Sequence, residues 1–420
     1  MKTDYNGSIY EVNIRQYTPE GTFKAFLPHI PRLKKLGIET LWFMPIYPIG
    51  VTNRKGTLGS YYSISDYTDV NPEFGTLKDF KQVVKKAHAS GMKVMLDMVA
   101  NHTSWDHIWL KQNHIFWYER TEQGEIISPY DWSDTAKLNY RNPKLRRAMI
   151  DVMIFWIKEV GIDGYRQDMA GLVPLDFWQQ AIHELREIKP DIFMLGEVED
   201  AEYHMHNTFD ATYSWELCHM LEHIAQGAYG ASAVRDRLNY EKQIFPPTAS
   251  RLLFTSNHDE NSWSGTEFKR FGDAAKTMAA LTFVLNGIPL IYSGQEAGNN
   301  KELKFFDKDL IDWSGIKEYT PFYTELNDLR KKCSAINPSG RGADIEYISN
   351  SQPENILSFK RKNSKSEIIA IFNLTPYHVQ PAFYDEQYCG EWNKLFHSKQ
   401  TLHSGNYDPF APWEFKIYYR

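Results

Sequence analysis

Arg166 and Asp168 stand one residue apart in the stretch GIDGYRQDMAG, fenced by glycines. Side chains two apart on a strand share a face, so a strand here aims a guanidinium and a carboxylate the same way. An arginine within several ångströms favours the ionised carboxylate, which suits Asp168 to the work of a nucleophile. Other apolar runs end in similar polar groups. DMVANH supplies Asp97, Asn101 and His102, LGEVED supplies Glu197, and TSNHDEN supplies Asn257, His258 and Asp259. Glu197 would feel the negative charges of Asp168 and Asp259, which makes it the better candidate for a carboxyl that keeps its proton near neutrality. One ionised and one protonated carboxyl are the pair that cleavage of a glycosidic bond requires. Any one of these residues could cap a helix or steady a core, but together at strand ends they read as one site.

The elements that must position them are legible as runs of apolar and β-branched residues. SIYEVNI, IETLWFM, KVMLDMV, GIDGYRQD, DIFMLGE, FDATYS, RLLFTSN and IPLIYSG alternate with helix-period segments such as TLKDFKQVVKKAHASG and PLDFWQQAIHELREI. Strands alternating with helices imply a parallel sheet, and their number favours an α/β fold of the (β/α)8 TIM barrel kind, whose working residues lie at the C-terminal ends of the strands. The third and fourth runs are set far apart, and the intervening segment 103–142 is rich in Trp, Asp, Asn and Pro. It reads as a small inserted domain between barrel segments 1–102 and 143–331. Beyond Lys331 the runs ENILSFKR, SEIIAIFNL and WEFKIYYR imply a C-terminal antiparallel β-sandwich over 332–420.

Bulk properties exclude several classes. The net charge is −6 with Lys and Arg scattered, whereas a nucleic-acid surface needs a basic stripe. No apolar run approaches the roughly 18 residues of a membrane span. Cys218, Cys333 and Cys389 are far apart and odd in number, so neither a disulfide framework nor a metal clip is expected. Histidines at 102, 107, 204 and 206 come without an HExxH-type zinc signature. Met1 to Asn6 is too short and polar for a signal peptide, so the chain as it stands reads as cytoplasmic, or as secreted or periplasmic if a signal was removed. The aromatic fraction of 15% supplies faces on which sugar rings stack.

The set DMVANH, GYRQD, GEV and NHD, with GSYYSISDYTDVNPEFGT and KLNYRNP upstream of the fourth run and GIPLIYSGQEAG on the eighth, resembles the α-amylase family of retaining glycosidases, glycoside hydrolase family 13. The resemblance implies Asp168 as nucleophile, Glu197 as general acid and base, and Asp259 as the third carboxylate, which holds sugar hydroxyls. It implies that Arg166 orients Asp168, that His102 and His258 bond hydroxyls of the sugar being cleaved, that Tyr62 stacks under it, and that Asp97 has a structural part. Asn101 matches a calcium ligand of the family, although Lys137 of TAKLN stands where an aspartate is frequent and MAGLVP replaces the Lys-His that follows the nucleophile in many calcium-dependent members. The implied substrate is starch or a maltooligosaccharide. Val198 after the acid points to α-1,4 bonds, whereas TAKLN resembles neopullulanases and cyclomaltodextrinases; a glucanosyltransferase of the same family shares these residues.

Overall fold

The computed structural model describes residues 5–338, 340–383, 389–397, 399–402 and 409–420; Met1 to Asp4, part of the segment read for a signal peptide, lie outside them. Eight parallel strands close a barrel: β1 (Ile9–Val12), β2 (Thr40–Phe43), β3 (Lys93–Met98), β6 (Gly164–Gln167), β7 (Phe193–Gly196), β8 (Ala211–Tyr213), β9 (Ser250–Leu253) and β10 (Ile288–Tyr292), numbered in chain order. Seven fall within the runs read from the sequence, and β9 starts one residue before its run, at Ser250. Burial runs without alternation along most of these strands, because one face fills the barrel and the other lies under helices.

Local sequence explains the helices between them. The helix Leu77–Ala89 starts at a capping box in which the Thr76 side chain accepts from Asp79 N–H and the Asp79 side chain accepts from Thr76 N–H. Phe80, Val83, Val84 and Ala87 form its buried stripe. The helix Pro143–Phe155 opens with Asn142 accepting from two backbone amides and proline in its first turn. Between β3 and β6, the strands β4 (His102–Ser104) and β5 (Thr135–Lys137) form a small antiparallel sheet of their own.

By contact density the chain divides into two units, one of residues 1–4, 10–213 and 303–311, the other of residues 5–9, 214–302 and 312–420. The second contains the C-terminal antiparallel sheet, in the order β11 (Glu346–Tyr347), β12 (Ile356–Lys362), β13 (Glu367–Asn373), β16 (Phe415–Tyr419), β14 (Gly390–Lys394) and β15 (Lys399–Leu402). Ile356, Ile369, Ile371, Trp392 and Tyr418 of this sheet pack with Val379, Phe383 and Phe410; isolated bridges join Val379 to Phe410 and Phe383 to Asn350. Arg361 of β12 is fully buried and donates to the carbonyls of Val284, Leu285, Asn337 and Ala343. It thereby satisfies the end of the helix Ala275–Val284, whose last carbonyls have no partner within the helix.

Candidate active site

Parallel pairing of β3 with β6 puts Asp97 opposite Arg166, and both side chains are completely buried. Gly164 permits the close approach of β7, since a Cβ there would lie 2.6 Å from the Phe193 carbonyl oxygen. Arg166 is the hub. Its Nη1 donates to Asp97 Oδ1 (3.0 Å) and Asp168 Oδ1 (2.7 Å), and its Nε donates to the Tyr213 hydroxyl (3.1 Å). Nη2 forms an ion pair with Glu197 Oε1 at 2.9 Å, out of line for a hydrogen bond. Trp42, Tyr62 and Tyr213 surround the guanidinium with ring centroids 5.3, 5.8 and 5.5 Å away, a setting that stabilises a desolvated cation. Arg166 therefore serves both carboxylates of the expected pair, and Asp97 as well.

Each carboxylate has further partners. Asp97 accepts from Trp42 Nε1 (3.3 Å) and the Tyr62 hydroxyl (3.2 Å). Glu197 Oε2 accepts from the backbone N–H of Met169 at 2.7 Å. Met169 reaches that position with φ at 44°, in the left-handed region. That conformation is uncommon for a residue with a side chain, and such strain is found where a site demands it. Asp168 and Glu197 both retain access to solvent, with side chains 8% and 9% exposed, whereas that of Asp97 has none. One positive charge thus faces three carboxylates in a nearly water-free place.

Tyr62 is buried, and its ring stacks on Phe305 at 6.0 Å and 16°. His102 has 2% exposure; Asn101 Nδ2 lies 3.1 Å from its Nδ1, and it also bonds the Tyr62 backbone. Burial pushes the imidazole down to about 4, against a weaker upward pull from Asp134. It is a neutral hydrogen-bonding group at ordinary pH. For calcium, Asn101 would offer its side-chain oxygen. Its amide nitrogen faces His102, Lys137 on the paired strand holds Glu119 at 3.2 Å, and among the described residues no group of three or more His, Cys, Asp or Glu side chains could hold a metal ion.

The second unit carries His258 and Asp259 after β9. His258 is buried and its Nε2 lies 3.3 Å from Asp259 Oδ2, while the Asp259 side chain is 36% exposed. Asp259 leads into a π-helical turn, Glu260–Ser264, pinned by Asn257 Oδ1 accepting from Glu260 N–H (2.8 Å). Glu260 in turn pairs with His219 (3.0 Å) and Arg270 (2.9 Å). The sequence did not mark Trp42, Tyr213, Phe305 or the Met169 amide as parts of the site. Aromatics in strand-like runs read as core, and a backbone donor leaves no residue type to notice.

The family model described as alpha amylase, catalytic domain, matches residues 3–116 and 113–333. The chain belongs to the α-amylase family. It is a glycoside hydrolase of that family, and its relatives bear several activity names. It is 26% identical to alpha-amylase 3 of Dictyoglomus thermophilum over 88% of this chain and 85% of that protein. It is 27% identical to a cyclomaltodextrinase of Geobacillus thermopakistaniensis over 84% of this chain but only 62% of that protein. Among solved structures, the noncanonic maltogenic alpha-amylase AmyB of Thermotoga neapolitana superposes with a TM-score of 0.89 at 29% identity, covering 99% of both chains. No helix among the described residues is long and apolar enough to cross a membrane.

Proposed function

We propose that the protein is a retaining hydrolase of α-1,4-glucosidic bonds in starch or maltooligosaccharides, with Asp168 as nucleophile and Glu197 as acid and base. The observation that carries this is the fork of Arg166 between Asp168 and Glu197. Two carboxyls gripped by neighbouring nitrogens of one guanidinium fit the separation of about 5 to 5.5 Å of a double-displacement pair better than the wider gap that accommodates an attacking water. Asp168 Oδ1, anchored by the 2.7 Å bond, attacks the anomeric carbon while Glu197 gives its proton to the departing glycosidic oxygen. Glu197 then takes a proton from the water that releases the sugar from Asp168. Tyr62 offers a ring face to the sugar, His258 and the neutral His102 offer hydrogen bonds to its hydroxyls, and Asp259 is the third carboxylate that holds them.

Replacing Asp168 by Asn keeps shape and removes the charged nucleophile. Turnover should be lost by several orders of magnitude, with maltooligosaccharide binding retained in calorimetry; undiminished turnover would refute the assignment. A second reading, a neopullulanase- or cyclomaltodextrinase-like hydrolase or a glucanosyltransferase, is favoured by the cyclomaltodextrinase and the maltogenic alpha-amylase of Bacillus acidopullulyticus among the relatives. Products from starch, pullulan and cyclodextrin separate these readings, since transfer yields chains longer than the substrate.

A further inference from the structure

Tyr130 is 69% exposed, although it lies in an otherwise well-anchored loop. Its φ is 50°, in the left-handed region, a conformation strained for an L-residue with a bulky side chain. The loop around it is held on several sides. Ser63 Oγ donates to the Asp134 carbonyl (2.8 Å), Lys55 pairs with the buried Asp134 carboxylate (3.2 Å), and Trp105 Nε1 donates to the Ser133 carbonyl (2.9 Å). A firmly held segment therefore keeps a large ring in water at the expense of backbone strain. Such a combination is a reason to look for a ligand.

The ring is also aligned with the proposed site. Its centroid lies 5.2 Å from that of Trp132 at 58°, and Trp132 stands 5.4 Å from the His102 imidazole at 61°. Trp132 is half-buried, so part of its indole is open to solvent. Two ring-to-ring steps thus lead from the histidine beside the scissile sugar to the exposed Tyr130. Hydrophobic packing accounts for neither the strain nor the exposure.

We infer that Trp132 and Tyr130 form a stacking platform for glucose units of an α-glucan beyond the one held at His102, and that this platform sets the preference of the enzyme for longer chains. The inference rests on the α-glucan reading above. Apolar faces of successive sugar rings would lie on the two aromatic faces, and their hydroxyls would stay in water. The contribution is binding energy remote from the reacting bond, which a short substrate cannot use.

The test compares Tyr130→Ala, Tyr130→Phe and Trp132→Ala with the native enzyme on maltotriose and maltoheptaose. Tyr130→Ala should lose about three- to tenfold in kcat/KM on maltoheptaose and little on maltotriose; Trp132→Ala, whose ring also packs on His102, should lose on both substrates and more on maltoheptaose, whereas Tyr130→Phe, which keeps the ring, should match the native enzyme. Tyr130 is exposed, so its replacement does not threaten the fold, and circular dichroism verifies this for Trp132→Ala. An unaltered ratio of the two substrates in Tyr130→Ala would overturn the platform. Native enzyme that turned over neither substrate, nor starch, would overturn the α-glucan reading beneath it, a distinct result.

Discussion

Acidification from pH 6.5 to 4.5 should weaken the fold through three buried groups whose contributions oppose one another. Burial holds His102 at about 4 and His107 at about 3, against 6.5 for an exposed histidine. His107 Nδ1 accepts the N–H of Trp109 at 3.1 Å, and Tyr67 and Trp109 pack its ring, so no space is left for a hydrated imidazolium. In this window the unfolded chain binds a proton at each histidine and the native chain does not, so stability drops by about 1.4 kcal/mol for each unit of acidification at each histidine. Glu267 acts in the opposite direction. Burial raises it to about 7, although Gln295 and Thr255 donate hydrogen bonds to it. Between 4.5 and 6.5 the native state carries that proton and the unfolded state does not, so acid stabilises by the same increment. Two against one leaves a net loss of about 1.4 kcal/mol per pH unit, or roughly 3 kcal/mol over the window, a sizeable part of the ~5 to 15 kcal/mol that holds a typical domain. Carboxyls held below their usual range, Asp163 and Glu260 among them, lose their contribution only at lower pH, and His219, raised by its bond to Glu260, loses its share only as pH climbs above 6.5. Urea unfolding followed by tryptophan fluorescence at steps of half a pH unit measures the slope. His107→Asn keeps an acceptor for Trp109 and removes the titration, so its slope should approach zero, while Glu267→Gln should double the native slope. A His107→Asn profile parallel to the native one would refute the reasoning.

Arg166→Lys keeps the charge but replaces a planar fork by a single point, which cannot reach Asp97, Asp168, Glu197 and Tyr213 together; activity should fall by orders of magnitude and stability by about 3 to 5 kcal/mol, read from turnover and urea midpoints. Arg361→Met should lower stability by about 2 to 4 kcal/mol, because four carbonyls, those of Val284 and Leu285 fully buried, lose their donor at once; a midpoint unchanged in denaturation would show that water replaces the guanidinium at no cost.

Sequence alone determined the strands and the candidate residues, because both are local. Eight apolar runs between helical repeats dictate a parallel sheet, and alternation along GYRQD puts Arg166 and Asp168 on one face whatever the rest of the chain does. Tertiary structure decided which groups meet and what state they hold. Asp97 opposes Arg166 because β3 pairs with β6 across a gap filled by the inserted β4 and β5. The ion pair of Arg166 with Glu197, the strained Met169 amide behind that carboxyl and the aromatic walls of Trp42, Tyr62 and Tyr213 all come from segments remote in sequence. Asn101 resembles a metal ligand in the sequence, and the partner of its amide nitrogen, His102 Nδ1 at 3.1 Å, is known only from the folded chain. Residue type and spacing reveal what a side chain can do. Burial and long-range register set its charge, its partners and the direction in which it acts, because desolvation and Coulomb energy depend on neighbours that only the folded chain brings near.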